Sequence, residues 1–193
     1  MKKKLKFRIK FNAPVVLSFG IACLAALILG WVSGGVLTEL LFMSRHTALW
    51  SPMTYIRAFT HVLGHSGWEH FIGNMAYILL LGPMLEEKYG SKKVLEVILI
   101  TAFVTALANY ILFPRVGICG ASGVVFAFIL LTSFTGFKEG EIPLSFILVA
   151  LIFLGKELIQ GLFVRDNISN LSHILGGIVG ACIGYALNRK GRS

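Results

Sequence analysis

The sequence predicts an all-α polytopic membrane protein with six transmembrane helices. Of its 193 residues, 56% are hydrophobic and only 14% are charged, and the mean hydropathy is +0.79. A composition this apolar is typical of membrane proteins and lies outside the range of soluble globular domains. The hydrophobic residues also form six runs that polar or charged residues separate. We therefore expect one membrane domain over 14–188, between basic termini at 1–13 and 189–193.

The first apolar run, 14–36, follows a terminus with six lysines and arginines. A signal peptide begins similarly, but its apolar region has only about 7–15 residues and ends at a small-x-small cleavage site, which is not evident here. The run is therefore expected to remain as the first transmembrane helix. The next segment, 37–66, is too polar to cross a bilayer and too apolar for a solvated linker. It is predicted to form short helices in the membrane interface.

Five further apolar runs are predicted to cross the membrane. They are 68–85, 93–113, 122–137, 142–163 and 171–188. With both termini in the cytoplasm, thirteen of the 18 lysines and arginines flank cytoplasmic helix ends and four lie in outer loops. This distribution satisfies the positive-inside rule. The net charge of +9 therefore indicates topology, and no nucleic-acid partner is expected because no basic face carries interleaved aromatic residues.

Cysteine and histidine spacing gives no reason to expect a metal or another cofactor. The three cysteines lie in or beside apolar runs and have no Cys-x-x-Cys spacing: Cys23, Cys119 and Cys182. An odd number without that spacing indicates neither a disulfide framework nor a zinc site. His61 and His65 would have to share a metal with His70 without an acidic or thiol ligand, so this alternative is weak.

A small-residue turn, Gly120-Ala121-Ser122-Gly123, opens the fourth run. The glycines remove side-chain bulk and permit the backbone angles of a sharp loop-to-helix turn, so another chain segment can approach the Ser122 hydroxyl closely. This geometry suits a nucleophile. The alternative interpretation is that Ser122 is only an N-cap of the helix.

Three runs carry a polar residue at the same predicted depth. His70, Ser122 and His173 each lie 16 residues before the first charged residue at the cytoplasmic end of their run. At about 1.5 Å per residue this distance is roughly 24 Å, which places all three near the outer edge of a hydrocarbon core about 30 Å thick. Polar side chains at that depth are costly unless they face protein or water, so their coincidence predicts a functional site.

The residue types at this level match the needs of acyl transfer. A neutral His173 can accept the hydroxyl proton of Ser122. Asn74 lies one turn after His70 on the same helix face, and their N–H groups can stabilise negative charge on a carbonyl oxygen. The alternative is structural, because buried Asn and His residues commonly hydrogen-bond across membrane helices.

The last run carries glycines at every fourth position, namely Gly176, Gly180 and Gly184. Such a stripe allows another helix to approach closely. If the partner is the fourth helix, the stripe brings His173 within reach of Ser122.

These motifs resemble those of the rhomboid intramembrane serine proteases. His70 and Asn74 occupy the family's His-x-x-x-Asn positions, 120–123 is similar to its Gly-x-Ser-Gly, and 172–176 is similar to its small-His-x-x-Gly. The resemblance covers 14–188. It implies a rhomboid-like bundle of six transmembrane helices. The compact form of the chain resembles that of prokaryotic rhomboid proteins, which implies a location in a bacterial plasma (inner) membrane.

The resemblance also implies a function. Ser122 and His173 would form a catalytic dyad, and His70, Asn74 and the backbone N–H of Ser122 would form the oxyanion hole. The implied substrates are transmembrane segments of other membrane proteins, which enter laterally from the lipid bilayer. The fifth run is the expected gate, since the charged pair 156–157 interrupts its outer half.

Two positions depart from the family pattern. Ile56-Arg57 stands where Trp-Arg is common in the first outer loop, and Phe126 stands where a Tyr is common. Phe126 offers no hydroxyl but can still pack on the His173 ring. Neither change removes a catalytic group.

The acidic residues favour a dyad over a triad. Asp166 is the only aspartate, seven residues before His173 in a predicted outer loop. The sequence therefore offers no well-placed aspartate for a Ser-His-Asp triad. An aspartyl protease, which needs two aspartates, is excluded. No His-Glu-x-x-His motif of a metalloprotease occurs. Two other classes remain open, namely a catalytically silent rhomboid-like binding protein and a small channel or transporter.

Overall fold

A computed structural model describes the backbone of residues 9–135, 142–163 and 167–190, and their side chains except those of 153–154, 156–163, 167–169 and 189–190. The described chain is helical. Its α-helices are α1 (Pro14–Val32), α2 (Val36–Leu41), α3 (Pro52–Thr60), α4 (Trp68–Tyr89), α5 (Ser91–Leu112), α6 (Ser122–Ser133), α7 (Leu144–Phe163) and α8 (Asn167–Lys190). A single 3-10 turn, His61–Leu63, joins α3 to α4. Helices α1 and α4–α8 form the six-helix bundle, as the sequence predicts.

Helix length and composition indicate a membrane protein. Within the described ranges, three helices are long and apolar enough to cross a bilayer: Pro14–Val32, Ser91–Leu112 and Asn170–Asn188. Helix α4 has 22 residues but carries Glu69, His70 and Asn74 toward one end and Glu86 toward the other. We call the end of the bundle at His70 the site end and the end at Glu86 the base end.

Helix α6 is shorter than predicted. It ends at Ser133 instead of 137. The N–H groups of Phe134 and Thr135 donate to carbonyls three residues back, at 3.1 and 2.9 Å, which closes the helix in a tight turn. Twelve residues give α6 a length of about 18 Å. The depth estimate for Ser122 was therefore wrong in assuming a helix continuous to Lys138, which lies outside the described residues.

Among the described helices, α6 and α8 make the most extensive contact. A Cβ atom on Gly176 or Gly180 would overlap the carbonyl oxygen of Gly123 or Ala127 on α6, and one on Gly184 would lie 2.7 Å from the Phe134 ring. Because glycine leaves this space free, the two backbones are in direct contact. The sequence predicted a close helix contact for the glycine stripe and left its partner open; the structure identifies the partner as α6, the fourth helix of the bundle.

The base end is held by one buried carboxylate. Glu86 on α4 accepts hydrogen bonds from the N–H groups of Val15 and Val16 at 2.9 and 3.0 Å, and from the Ser91 hydroxyl at 2.6 Å. Helix α1 begins at Pro14, so these N–H groups belong to its first turn and have no partner within the helix. The negative charge also suits the positive end of the α1 dipole.

The segment between α1 and α4 is fixed to the site end by its backbone. Ser44 and Ile118 exchange two backbone hydrogen bonds, at 2.9 and 2.8 Å. The buried Arg57 donates from Nε to the Leu40 carbonyl at 2.7 Å, and Thr60 donates to the Leu41 carbonyl. Although Ile replaces Trp at position 56, Arg57 therefore still ties α3 to the end of α2.

Candidate active site

The turn before α6 needs glycine at position 120 for two separate reasons. Gly120 has φ +130°, which a residue with a side chain adopts only with strain. A Cβ atom there would also lie 2.6 Å from Cε1 of His70. The N–H of Gly120 donates to the His61 carbonyl at 2.9 Å, which fixes the turn against the 3-10 segment. Ser122 follows as the first residue of α6.

The His70 ring lies between Ser66 and this turn. Its Nδ1 atom is 3.1 Å from the Ser66 hydroxyl oxygen and 3.5 Å from the Ser66 backbone nitrogen. Its Nε2 atom would be 2.7 Å from a Cβ atom on Gly120. The ring is therefore held on one side by Ser66, and its other nitrogen faces the turn that carries Ser122.

Asn74 lies beside His70, as the one-turn spacing predicts. Its side chain is buried, and its amide nitrogen is 3.9 Å from the position of a Gly120 Cβ atom. Within the described part of the chain, that nitrogen has no hydrogen-bond partner. A buried donor without a partner destabilises the folded state by about 1–3 kcal/mol, and this one lies next to the turn that leads into Ser122.

His173 reaches the same region from α8. Its ring stacks on Phe126 with a centroid separation of 4.4 Å and an interplanar angle of 5°, which confirms the predicted contact. The preceding residue, Ser172, approaches Gly123 with its carbonyl oxygen, 3.4 Å from the position of a Cβ atom there. The α6–α8 contact therefore holds His173 next to the first turn of α6, which begins with Ser122.

A cavity of about 350 Å³ opens at this point. Ser122, His70 and Ser66 line it, and Ser172 contributes from α8. His173 and Asn74 are not among its lining residues. The Asn74 amide lies next to Gly120, which does line the cavity. The structure thus brings all four predicted site residues to one end of the bundle, two of them at the cavity surface.

The sequence did not single out other residues that line the cavity, including Ser66, Thr105 and Cys119. Ser66 had a signal, because it lies four residues before His70 at the start of a helix. Cys119 precedes the Gly-x-Ser-Gly turn directly, and burial raises the pKa of its thiol, which keeps it protonated at neutral pH. Thr105 had no sequence signal, because only the packing of α5 brings it to the cavity.

Two further histidines near the site have structural roles. The His61 ring contacts the Arg57 carbonyl through Nδ1 and the Thr105 hydroxyl through Nε2, each at 3.2 Å. His65 Nδ1 donates to the Leu63 carbonyl at 3.0 Å. Burial lowers the pKa of His61 and of His65 to about 4, so both rings are neutral at pH 7.

The weak metal hypothesis gains no support. Among the residues that the structure describes, no three His, Cys, Asp or Glu side chains are arranged to hold a metal ion. Both ring nitrogens of His61 are engaged with protein groups. Asp166 and the side chains of the proposed gate pair, Lys156 and Glu157, lie outside the described residues.

Comparison with known proteins gives a family model and several relatives. The family model of the Rhomboid domain matches residues 52–190. Rhomboid-related protein 2 of Mus musculus is 31% identical over 158 residues, which cover 71% of this chain and 52% of the relative. Rhomboid protease GlpG of Pectobacterium atrosepticum is 30% identical over 179 residues, or 89% of this chain and 62% of the relative. The GlpG protein of Haemophilus influenzae is 28% identical over 133 residues, or 67% of this chain and 68% of the relative. The chain thus spans about half of the mouse relative.

Proposed function

Since this chain belongs to the rhomboid family, we propose that it is an intramembrane serine endopeptidase that cleaves transmembrane segments of other membrane proteins. One observation carries the proposal. At a cavity of about 350 Å³, Ser122 begins α6 while the His70 ring from α4 lies against the turn that precedes it. The Asn74 amide and the His173 ring supply the two other groups that acyl transfer needs.

In the acylation step, the Ser122 oxygen attacks the carbonyl carbon of the scissile peptide bond. The hydroxyl proton passes to the unprotonated ring nitrogen of His173. Negative charge develops on the former carbonyl oxygen, which accepts hydrogen bonds from His70 Nε2–H, the Asn74 amide and the Ser122 backbone N–H. Each such donor contributes about 2.7–4 kcal/mol to the stability of the transition state.

The intermediate then collapses. The C–N bond breaks, and the leaving nitrogen takes the proton from His173, which releases one product and leaves an ester on Ser122. A water molecule attacks the ester carbon and gives a proton to His173. The C–O bond to Ser122 breaks, the serine oxygen recovers that proton, and the second product leaves as a carboxylic acid.

Stacking on Phe126 gives His173 a defined position during both steps. The nearly parallel rings hold the imidazole plane through its face, so the stacking itself occupies neither ring nitrogen. Proton transfer at the ring edge is therefore compatible with this contact. A phenylalanine suffices for this role, which explains why the missing tyrosine hydroxyl does not exclude activity.

Substrate reaches Ser122 laterally, between α4 and α7. The backbone of α7 approaches α6 and α8 closely, whereas the described part of α7 does not approach the backbone of α4 to the same degree. A transmembrane segment that enters this gap must unwind before its carbonyls are open to attack, so we expect small or helix-breaking residues around the scissile bond. A crosslink between the site ends of α4 and α7 should block cleavage. Wild-type rates in the fully crosslinked enzyme would place the gate elsewhere.

Topology follows from the same proposal. Both termini lie in the cytoplasm, and the site end of the bundle faces the outer side of a bacterial plasma membrane. The distribution of lysine and arginine along the sequence supports this orientation.

The proposal is tested by cleavage of a single-pass transmembrane substrate in liposomes that contain the purified protein. Ser122→Ala and His173→Ala should each lower the rate by more than about 10³-fold. Ser133→Ala is the matched control on α6, because its hydroxyl donates to the Ile129 carbonyl at 3.0 Å, at the opposite end of α6 from the cavity. Substantial cleavage by Ser122→Ala would contradict the nucleophile assignment. Wild-type protein that binds the substrate without cleaving it would favour the catalytically silent alternative.

A further inference from the structure

We propose that Ser66 is a positioning residue, which holds His70 in the tautomer that directs an N–H group toward the reacting carbonyl. This inference rests on the proposed function, in which His70 is an oxyanion donor. It assigns a role to a side chain that does not itself contact the substrate carbonyl.

The contacts of His70 Nδ1 set the tautomer. The Ser66 backbone N–H, 3.5 Å from Nδ1, can only donate a hydrogen bond. The Ser66 hydroxyl, 3.1 Å from the same atom, can donate as well. With donors on this side, Nδ1 is the unprotonated nitrogen of the neutral ring, and the proton lies on Nε2.

Nε2 faces the site. It would be 2.7 Å from a Cβ atom on Gly120, so it lies against the turn that leads into Ser122. In the opposite tautomer, a lone pair on Nε2 would face the developing negative charge and repel it. The Ser66 hydroxyl, which is closer to Nδ1 than the backbone N–H is, therefore favours the tautomer in which His70 stabilises the transition state.

Ser66 has little else to do in the fold. Its side chain is exposed and lines the cavity together with His70 and Ser122. In the part of the chain that the structure describes, its hydroxyl makes no hydrogen bond other than the one to His70. It precedes Gly67, the N-cap of α4, which has no side-chain cap. Removing the hydroxyl should therefore change the tautomer balance without unfolding α4.

The direct test is the ¹⁵N NMR spectrum of histidine-labelled protein in micelles. The His70 signals are identified by their absence in His70→Ala. Wild type should show a protonated Nε2 and an unprotonated Nδ1. Ser66→Ala keeps only the backbone donor at 3.5 Å, so it should shift both His70 resonances part of the way toward the opposite tautomer, and Ser66→Thr should restore them. Ser51→Ala is the matched control, since Ser51 also stands before a helix without making a side-chain cap bond.

Kinetics provide a second readout. Ser66→Ala should lower kcat about tenfold at nearly constant KM, less than the 10²–10³-fold expected when an oxyanion donor is removed outright. In a His70→Ala background the same substitution should have no further effect. Ser66→Thr should retain at least about half of the wild-type kcat, because it keeps the hydroxyl.

Two results would overturn the inference. One is a wild-type spectrum with the proton on Nδ1 of His70. The other is an equal loss from Ser66→Ala with and without His70, which would show a structural role. The spectrum does not depend on activity, so an inert wild type with a protonated Nε2 would contradict the proposed function while supporting the tautomer.

Discussion

Helix α4 carries two buried polar side chains that differ in their hydrogen bonding. Glu86, at the base end, is 5% exposed and accepts three hydrogen bonds. Asn74, at the site end, is 7% exposed, and its amide nitrogen has no partner among the described residues. The two residues share a helix and a degree of burial. They differ in whether the resting protein completes their hydrogen bonds.

On the proposed function, Glu86 serves the stability of the bundle and Asn74 serves its chemistry. A paired carboxylate contributes to the folded state, because its donors would otherwise be left without partners. An unpaired amide opposes folding, and a partner that arrives later does not change that cost in the resting protein. On the proposed function that partner is the oxyanion, which exists only during the reaction. Substitutions at the two ends of α4 should therefore affect different measurements.

Glu86→Ala should have the largest effect, and it should act on stability. It removes three charge-assisted hydrogen bonds, so the free energy of unfolding should fall by about 4 kcal/mol. Denaturation in mixed micelles measures this loss, and the activity of the folded fraction should stay within about twofold of wild type. Glu87→Ala is the matched control on the exposed side of the same turn. Equal losses from both variants would show that the Glu86 contacts do not stabilise the bundle.

Gly180→Ala should have the second largest effect. The added methyl group would push apart α6 and α8, the two helices that carry Ser122 and His173. This Cβ atom would overlap the Ala127 carbonyl oxygen. We expect a loss of about 3 kcal/mol in unfolding free energy, at the upper end of the range for overpacking, together with reduced activity. The control is Gly73→Ala on α4, where no atom lies within 4 Å of the new Cβ. That variant should be neutral or stabilised by up to about 1 kcal/mol. A stable Gly180→Ala would mean that α6 and α8 can move apart freely.

Asn74→Ala should reverse the pattern of Glu86→Ala. With one oxyanion donor gone, kcat should fall about 10²-fold, which corresponds to about 2.7 kcal/mol and is less than the loss from removing the dyad. Stability should be unchanged or slightly higher, since a buried unpaired amide disappears. Asn188→Ala is the control at the base end, where the amide donates to Tyr89 at 3.2 Å and to the Gly184 carbonyl at 2.8 Å. It should lower stability slightly and leave kcat unchanged. An Asn74→Ala variant that is unstable and fully active would contradict the assignment of a chemical role to Asn74 and a stabilising role to Glu86.

The sequence could predict the features that depend on composition and spacing. The six-helix bundle followed from the apolar runs, and close packing of α8 against another helix followed from the glycine stripe, although the stripe does not identify α6 as the partner. The short α6 was missed because Phe134 and Phe137 were counted as part of the apolar run, although Ser133, Thr135 and Gly136 beside them are residue types common where a helix ends. Thr105 and the contact between Ser66 and His70 were missed because they depend on the packing of α5 and on a ring orientation, which spacing does not determine.

Asp166→Asn should have the smallest effect. In a dyad no carboxylate is required, so cleavage of the transmembrane substrate in liposomes should stay within about twofold of wild type. A loss as complete as that of His173→Ala would require a triad and would replace the proposed mechanism.

The central claim is that the Ser122 hydroxyl is the activated nucleophile of the site. A fluorophosphonate probe tests it directly, because the probe forms a covalent bond only with a nucleophilic serine. Mass spectrometry of peptides from the labelled wild-type protein should show one adduct, on Ser122. The adduct should be absent in Ser122→Ala and strongly reduced in His173→Ala, whereas Ser133→Ala should label like wild type. An adduct on another serine, or labelling that does not depend on His173, would contradict the account.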